Sequence, residues 1–157
     1  MTQVSNSAAT IDYLGYDAME NVTGSDEVIS GITYSFGYSY DLASDLTGET
    51  YPSGRVITNA YDSAARITAV SGVYTSQTNY VSGATYWPHG APRAYTYGNN
   101  VVPVFTYNQR LQPYQIYATR NNDPNQYLWF EDYFWDQTDQ QGPHLSAITE
   151  TCSNVVS

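Results

Sequence analysis

The sequence predicts an all-β protein of stacked antiparallel β-hairpins, and three observations support this. Strand-forming residues are abundant, with 17 tyrosines in 157 residues and aromatics at 15%. Aromatic residues alternate with period two in "ITYSFGYSYD", where every second residue from Tyr34 to Tyr40 is aromatic. An eight-residue phrase beginning with Tyr-Asp also recurs along the chain. Runs with helical spacing and proper caps are absent.

The recurring phrase reads YDAMENVT at 16–23, YDLASDLT at 40–47 and YDSAARIT at 61–68. The step continues through Tyr86 and Tyr107, so five tyrosines follow one another at intervals of 24, 21, 25 and 21 residues. A step of this size is typical of repeat architectures, in which one supersecondary unit is copied.

Each copy of the phrase predicts one hairpin. Its tyrosine ends a strand, and Asp17, Asp41 or Asp62 then begins a turn. The short carboxylate can accept hydrogen bonds from backbone N–H groups one or two residues further on. The branched residue and the threonine that end the phrase start the next strand.

The opposite ends of the hairpins are expected at glycines. Gly24, Gly48 and Gly72 recur with the phrase, and Pro-Ser-Gly-Arg at 52–55 predicts a turn. A lone hairpin is marginally stable in water, so we expect the units to pair with their neighbours. The repeated tyrosine then occupies a cross-strand ladder position, with its ring packed and its hydroxyl on water or a polar partner.

Charge excludes two classes of partner. Five arginines, no lysine and 15 acidic residues give a net charge of −10, which disfavours binding to nucleic acid and to anionic lipid. No apolar run approaches the roughly 20 residues that span a membrane. The N-terminus lacks a basic region and an apolar core, so no signal peptide is predicted. Either export information has been removed or the chain is a piece of something larger.

Few residues offer a metal or modification site. His89 and His144 lie apart without a Cys or Asp at ligand spacing, so no metal site or cofactor is predicted from them. The single cysteine, Cys152, excludes an internal disulfide. It is interpreted as a buried or reduced thiol, or alternatively as an intermolecular disulfide. Residues 21–23, Asn-Val-Thr, fit the glycan-acceptor pattern.

The acidic residues do not predict an enzyme. Glu131 and Asp132 are adjacent, so on a strand they point to opposite faces and cannot act on one substrate. Asp136 and Asp139 are interpreted as a solvated pair, with a weak Ca²⁺ site as the alternative. Phosphate-binding loops and nucleophile elbows are absent.

The most aromatic stretch is NQYLWFEDYFWD at 125–136. Alternation predicts that Tyr127, Trp129, Tyr133 and Trp135 share one face of a strand. A strand that is apolar on both faces is buried on both or meets a partner with one of them. Two interpretations stay open: a central or inter-subunit strand, and a platform on which sugar rings stack.

The three phrases resemble the YD repeat of Rhs-type proteins, whose usual form is Tyr-Asp-x-x-Gly-Arg-Leu-Thr. The segment YPSGRVITNAYDSAARITAV at 51–70 is especially similar, and the resemblance covers roughly residues 10–118. Members of this family include toxin-encapsulating shells, insecticidal toxin complexes and teneurin-type adhesion receptors. The resemblance implies a long β-sheet that spirals into a shell or barrel, and an extracellular or cell-surface location.

The resemblance assigns structural roles position by position. The residues that match the motif Tyr or Asp are Tyr16, Asp17, Tyr40, Asp41, Tyr61 and Asp62, with Tyr86 and Tyr107 opening degenerate copies. Glu20, Ser44 and Ala65 stand where the motif has Gly, and Arg66 alone keeps the motif Arg. Because glycine supplies positive φ, these turns are expected to be looser or of another type.

We therefore predict one YD-repeat β domain over residues 1–157, with a C-terminal aromatic strand region at 125–157. The first functional hypothesis is a structural subunit that self-assembles by β-strand addition into an extracellular fibre or tube. Its terminal strands, near "ATIDYLGY" and "HLSAITETCSNVV", would join copies into a homopolymer. The alternatives are a fragment of a larger Rhs-type surface protein or toxin-encapsulating shell, and an extracellular carbohydrate-binding β-module.

Overall fold

The computed structural model describes residues 2–123, 127–136 and 144–151, and these ranges contain strands and turns but no helix. Thirteen strands form one sheet, in which each strand neighbours the next one along the chain and pairs with it antiparallel. The predicted all-β fold of antiparallel hairpins is confirmed. Nothing in the described ranges forms a helix of the length and apolarity that a bilayer crossing needs.

The first of two compact units, Met1–Tyr80, contains seven strands and the start of an eighth. They are β1 (Gln3–Ser5), β2 (Ala9–Tyr16), β3 (Val22–Ile29), β4 (Ile32–Tyr40), β5 (Leu46–Thr50), β6 (Val56–Tyr61), β7 (Ile67–Val73) and β8 (Gln77–Tyr86). The second unit, Val81–Ser157, continues β8 and adds five strands. They are β9 (Pro92–Tyr97), β10 (Val101–Tyr107), β11 (Pro113–Arg120), β12 (Tyr127–Asp136) and β13 (His144–Thr151).

The N-terminal segment forms a strand that the sequence did not predict. The Asn6 Oδ1 atom accepts hydrogen bonds from the N–H groups of Ala8 and Ala9, which turns the chain back on itself. Gln3–Ser5 consequently pairs with Thr10–Asp12. The outer edge of β2, which we expected to be free for strand addition, is therefore partly covered. A three-residue edge strand is a common protection against edge-to-edge pairing.

The hairpins after the motif tyrosines share a one-residue bulge. In β4–β5, Tyr40 pairs with Leu46, and the shift in register leaves Thr47 without an opposite residue. The same shift occurs at Thr23 in β2–β3 and at Thr68 in β6–β7. The branched residue of each phrase is thus the partner of the motif tyrosine, and the motif threonine is the bulge. Bulges of this kind bend a strand and increase its twist.

Gly24, Gly48 and Gly72 lie inside β3, β5 and β7, so their expected placement at turns is wrong. At Gly72 glycine is required because there is no room for a Cβ atom, and not because the backbone has a positive φ. A Cβ on Gly72 would lie 2.6 Å from Cε2 of Tyr80 and 2.9 Å from Cδ1 of Ile57. The missing side chain therefore lets an aromatic ring approach the sheet closely.

The two faces of the first unit differ in chemistry. The strand registers place large side chains on one face, which we call the aromatic face: Tyr13, Tyr34, Phe36, Tyr38 and Ile57. They place mostly small or hydroxyl side chains on the other, the hydroxyl face: Ser35, Ser39, Thr50, Thr58 and Ser71. The predicted alternation of aromatic residues along β4 is confirmed.

Few of the described residues are buried. They are Ser25, Gly72, Val102, Pro103 and Thr119. Large apolar side chains are exposed on strands and turns alike, up to 92% for Leu42. Stable domains pack at least two layers of secondary structure around a core. In each unit, instead, few of the described side chains are buried.

Candidate functional site

The turns after the motif tyrosines repeat one pattern of backbone hydrogen bonds. After Tyr61, the N–H of Asp62 donates to the carbonyl of Arg66 at 2.9 Å, and the N–H of Ala65 donates to the carbonyl of Asp62 at 3.0 Å. The same two bonds form in five other turns: Asp17–Asn21, Asp41–Asp45, Tyr51–Arg55, Trp87–Ala91 and Asn108–Gln112. The turn predicted at 52–55 is thus confirmed, and all six are of one type.

The fourth residue of each turn has a left-handed backbone, with φ between 57° at Ala65 and 91° at Gly90. The turns nevertheless reach this conformation in two ways. An Asp or Asn in first position accepts bonds through its Oδ1 atom from the third and fifth N–H groups, as Asp62 does from Ala64 at 2.8 Å and Arg66 at 3.1 Å. These four turns lack glycine at the fourth position.

Tyr51 and Trp87 begin the other two turns and offer no such acceptor, and there the fourth residues are Gly54 and Gly90. A carboxylate or amide at the first position and a glycine at the fourth are therefore alternative ways to hold one turn. The expectation that turns lacking the motif Gly are looser or of another type is wrong. Two side-chain hydrogen bonds offset the strain of the left-handed residue.

Replacing Ala65 with Gly is expected to raise the free energy of unfolding by about 0.5–1 kcal/mol, because glycine adopts positive φ without the steric penalty. Ala64→Gly in the same turn is the matched control, since Ala64 is not among the residues with positive φ. It should lower stability by about 0.5–1 kcal/mol. Urea denaturation of both variants measures the difference. Equal changes in the free energy of unfolding for the two variants would show that the backbone at Ala65 is not strained.

Polar side chains reinforce the turns. The Arg66 guanidinium contacts the Asp62 carboxylate at 2.7 Å, and its hydrogen bond holds the pKa of Asp62 below the ordinary value. In the first turn the side-chain amide of Asn21 donates to Asp17 at 3.0 Å and likewise lowers the pKa of Asp17. The same Asn21 nitrogen donates to Ser44 Oγ at 3.0 Å, linking two turns. This nitrogen is also the one that the glycan-acceptor pattern would modify.

The motif tyrosine of one hairpin bonds the backbone of its neighbour. The Tyr61 hydroxyl donates to the carbonyl of Leu46 at 2.9 Å, and Leu46 is the residue that pairs with the preceding motif tyrosine. Asn59 donates to the same carbonyl at 2.9 Å. These bonds join successive hairpins sideways, in addition to the strand ladder between them.

Trp135 repeats this arrangement near the end of the chain. Its indole N–H donates to the carbonyl of Pro113 at 2.6 Å, and Pro113 pairs with Tyr107 as Leu46 does with Tyr40. The pairing of Trp135 also follows a one-residue shift, as for the motif tyrosines. Trp135 therefore occupies the position of a motif tyrosine, which sequence analysis missed because tryptophan replaces tyrosine, while Asp136 pairs with His144 within the strands.

The predicted motif tyrosines differ in exposure. Tyr16 is 45% exposed, while four are half-buried: Tyr40, Tyr61, Tyr86 and Tyr107. Burial raises the pKa of the Tyr40 hydroxyl above its ordinary value. Tyr61 combines partial burial with a hydrogen bond to the preceding hairpin, as the packed ladder position predicts.

The turn that begins at Trp87 holds an aromatic cluster. The Trp87 indole N–H donates to the carbonyl of Phe105 at 2.9 Å, and the Arg93 guanidinium lies 5.2 Å from the Trp87 ring centre. The His89 ring meets Tyr107 edge-on, with 5.0 Å between ring centres. His89 thus lies in a turn and packs against the ring of Tyr107.

Strand β12 does not keep the predicted aromatic face intact. Leu128 is a bulge, because Trp129 pairs with Ala118 while Tyr127 pairs with the next residue of β11. Tyr127 consequently lies on the opposite face from Trp129 and packs against Tyr117 and Phe130, with 5.5 Å between ring centres in each case. The expectation that Tyr127 shares a face with Trp129, Tyr133 and Trp135 is wrong. The sugar-stacking role stays a prediction for the other three.

The acidic residues of β12 take separate partners. Glu131 accepts a hydrogen bond from the Tyr133 hydroxyl at 2.6 Å, which raises the pKa of Tyr133. Asp132 accepts one from Gln115 at 2.9 Å. The predicted separation of Glu131 and Asp132 onto two faces is confirmed. The register also sets Glu131 opposite Glu150, a pair that we did not consider from sequence, so the absence of catalysis stays a prediction.

Two predicted sites lie beyond what the structure describes. Asp139 and Cys152 are outside the described residues, and Asp136 and His144 are placed only as strand ends. Within the described part of the chain, no three His, Cys, Asp or Glu side chains gather as metal ligands would. The weak Ca²⁺ site and the intermolecular disulfide remain untested.

Comparison with known proteins identifies solved structures that share the fold of this chain. No protein-family model and no curated protein sequence matches the chain. A crystal structure of TcdB2-TccC3-Cdc42 is similar over 96% of this chain, with a TM-score of 0.86 and 15% identity. TcdB2-TccC3 is similar over 92%, with a TM-score of 0.82 and 14% identity. The Tc holotoxin pore of Photorhabdus luminescens is similar over 96%, with a TM-score of 0.80 and 16% identity.

In each of these three structures the matching part is 8% of the other chain. This chain therefore spans about a twelfth of the chains that it matches. The TM-scores of 0.80–0.86 show a shared fold, and at 14–16% identity they show the fold alone. The chain has the fold of a short stretch of β-sheet from very long Tc toxin chains.

Proposed function

We propose that this chain is a structural wall segment of a Rhs-type, toxin-encapsulating shell. The observation that carries the proposal is the fold likeness over 96% of this chain to a small part of TcdB2-TccC3. The Tyr-Asp phrases support it separately, because they resemble the Rhs-type repeat in sequence. In this function each hairpin contributes two strands to the sheet that forms the shell wall. Further strands continue that sheet beyond those described here.

The packing agrees with a wall. The described sheet is one layer with few buried residues, so its faces and edges gain stability from additional strands or from enclosed material. The bonds from Tyr61 and Asn59 to Leu46 join neighbouring hairpins of the first unit sideways, so that these hairpins resist separation. We propose an extracellular setting, partners that are further β-strands, and no catalytic role.

A self-assembling fibre is the second candidate, and the strand edges favour it. Within the described residues, β13 pairs only with β12, and β1 pairs only with β2. The two edges are unlike, since β1 has three residues and β13 has eight. A contact between unlike edges is heterologous and extends into filaments when it does not close. The short β1 makes the N-terminal edge the poorer acceptor of the two.

Electron microscopy of the native protein distinguishes these functions. A hollow particle whose wall contains the thirteen strands, flanked by more strands, supports the wall segment. A filament in which β13 of one copy pairs with β1 of the next would replace it with the fibre. Dispersed protein with both edges unpaired would contradict both. The native mass, compared with 17.5 kDa, tells whether flanking strands belong to the same chain.

A further inference from the structure

A groove of about 530 Å³ opens on the aromatic face of the first unit. It lies beside the turn that begins at Tyr51, and six residues line it: Tyr51, Ser53, Arg55, Ile57, Tyr74 and Tyr80. Small-molecule sites have volumes of about 300–1,000 Å³ and combine aromatic walls with a few polar groups. The groove matches both requirements, and no part of the wall function uses it.

The aromatic walls of this groove are held in place. The Tyr80 ring lies against the sheet where a side chain at Gly72 would stand, with 2.6 Å from its Cε2 atom to the ideal Cβ position. The Tyr51 hydroxyl donates to Glu49 at 2.9 Å, and the Tyr51 ring meets Phe36 edge-on with 5.9 Å between centres. Two of the three tyrosines are thus fixed before any ligand arrives, which reduces the entropy lost on binding.

Arg55 gives the groove its polarity. Acidic residues outnumber basic ones by 15 to 5, yet Arg55 forms no ion pair within the described residues. Glu49 is the carboxylate bonded to Tyr51, and it is not among the lining residues. A guanidinium presents a planar fork of N–H donors that matches an oxyanion, and it also stacks on aromatic rings. The Ser53 hydroxyl adds one more hydrogen-bonding group at this end.

We propose that the groove binds a small, planar aromatic oxyanion. The aromatic ring of the ligand packs among Tyr51, Tyr74 and Tyr80, and its oxyanion bonds to Arg55. A cationic ligand has no carboxylate among the lining residues to pair with. A neutral ring gains the stacking but leaves the guanidinium without an acceptor. Carboxylate and sulfonate groups share the required chemistry, and the binding test includes a probe of each.

The test measures binding of benzoate, benzenesulfonate and benzamide to the full chain by ligand-observed saturation-transfer NMR titration. We expect both anions to bind about tenfold more tightly than neutral benzamide, because one charge-assisted hydrogen bond contributes about that much to the affinity. Arg55→Gln should remove this preference. Tyr74→Ala should weaken all three probes while leaving the fold intact, because Tyr74 is 59% exposed.

Arg110→Gln is the matched control, since Arg110 is an exposed turn residue and does not line the groove. It should leave all three affinities unchanged. If Arg55→Gln and Arg110→Gln weaken the anions equally, the attraction is general to the chain's arginines and the site is overturned. Failure of all three probes to bind would also overturn it. Neither result bears on the wall segment, which microscopy tests separately.

Discussion

Tyr61→Ala is expected to lower the free energy of unfolding by about 2–4 kcal/mol, the largest effect of any single change predicted here. The Tyr61 ring is half-buried, so the loss falls somewhat below that of a fully buried aromatic residue. The hydroxyl bond to Leu46 is lost as well. Since this bond joins two hairpins, the variant should also unfold less cooperatively than the parent.

Denaturant unfolding followed by circular dichroism measures this change. Tyr61→Phe keeps the ring and should lose about 1 kcal/mol or less, because Asn59 still donates to the Leu46 carbonyl. Tyr74→Ala removes an exposed ring of the same size and should cost little. A loss below about 1 kcal/mol for Tyr61→Ala would mean that the motif tyrosine does not hold neighbouring hairpins together.

Asp62→Ala is expected to cost about 1–2 kcal/mol, as for loss of a side-chain cap that bonds two backbone N–H groups. Asp62→Asn should cost much less, because Asn108 holds the last of the six turns by accepting the same pair of hydrogen bonds at its Oδ1 atom. The asparagine variant loses only the contact with Arg66, which is a partly exposed pair. Equal losses for both variants would assign the effect to the ion pair instead of the turn.

The difference in stability between the parent and Asp62→Asn depends on pH, and the direction of that dependence follows from the pKa of Asp62. The pKa of Asp62 is lowered in the folded chain, so its charged form favours folding above the ordinary value of 3.8. That contribution is lost as the pH falls below 3.8 and through the folded pKa. The difference in stability between the parent and Asp62→Asn should therefore be largest near neutral pH and should shrink in acid. A difference that grows in acid would contradict the assignment.

Local sequence chemistry was enough to predict the hairpins. Val22, Leu46 and Ile67 begin strands as expected, because branched residues favour extended backbone and a Tyr-Asp pair ends the strand before them. The period-two pattern of β4 likewise places its aromatic residues on one face. These features depend on residues that are neighbours in sequence, so no knowledge of distant contacts was needed.

Features that depend on contacts between strands were not predictable in this way. Gly72 reads as a turn residue until the Tyr80 ring is placed on top of it. The bulge at Leu128 moves Tyr127 to another face, and alternation alone cannot reveal it. Trp135 is recognised as a motif residue only by its bond to a carbonyl 22 residues earlier. The groove at Arg55 likewise forms from three separate segments.

The two ways of holding the turn bear on how such repeats diverge. A copy that has Asp at the first position can exchange its glycine for Glu20, Ser44 or Ala65 and keep the same backbone. A copy that has Gly90 can exchange its aspartate for Trp87. Each copy can therefore lose one of the two residues that hold the turn while its geometry is unchanged. A comparison based on residue identity will underestimate how similar such a chain is to other repeats, whereas superposition of its backbone will not.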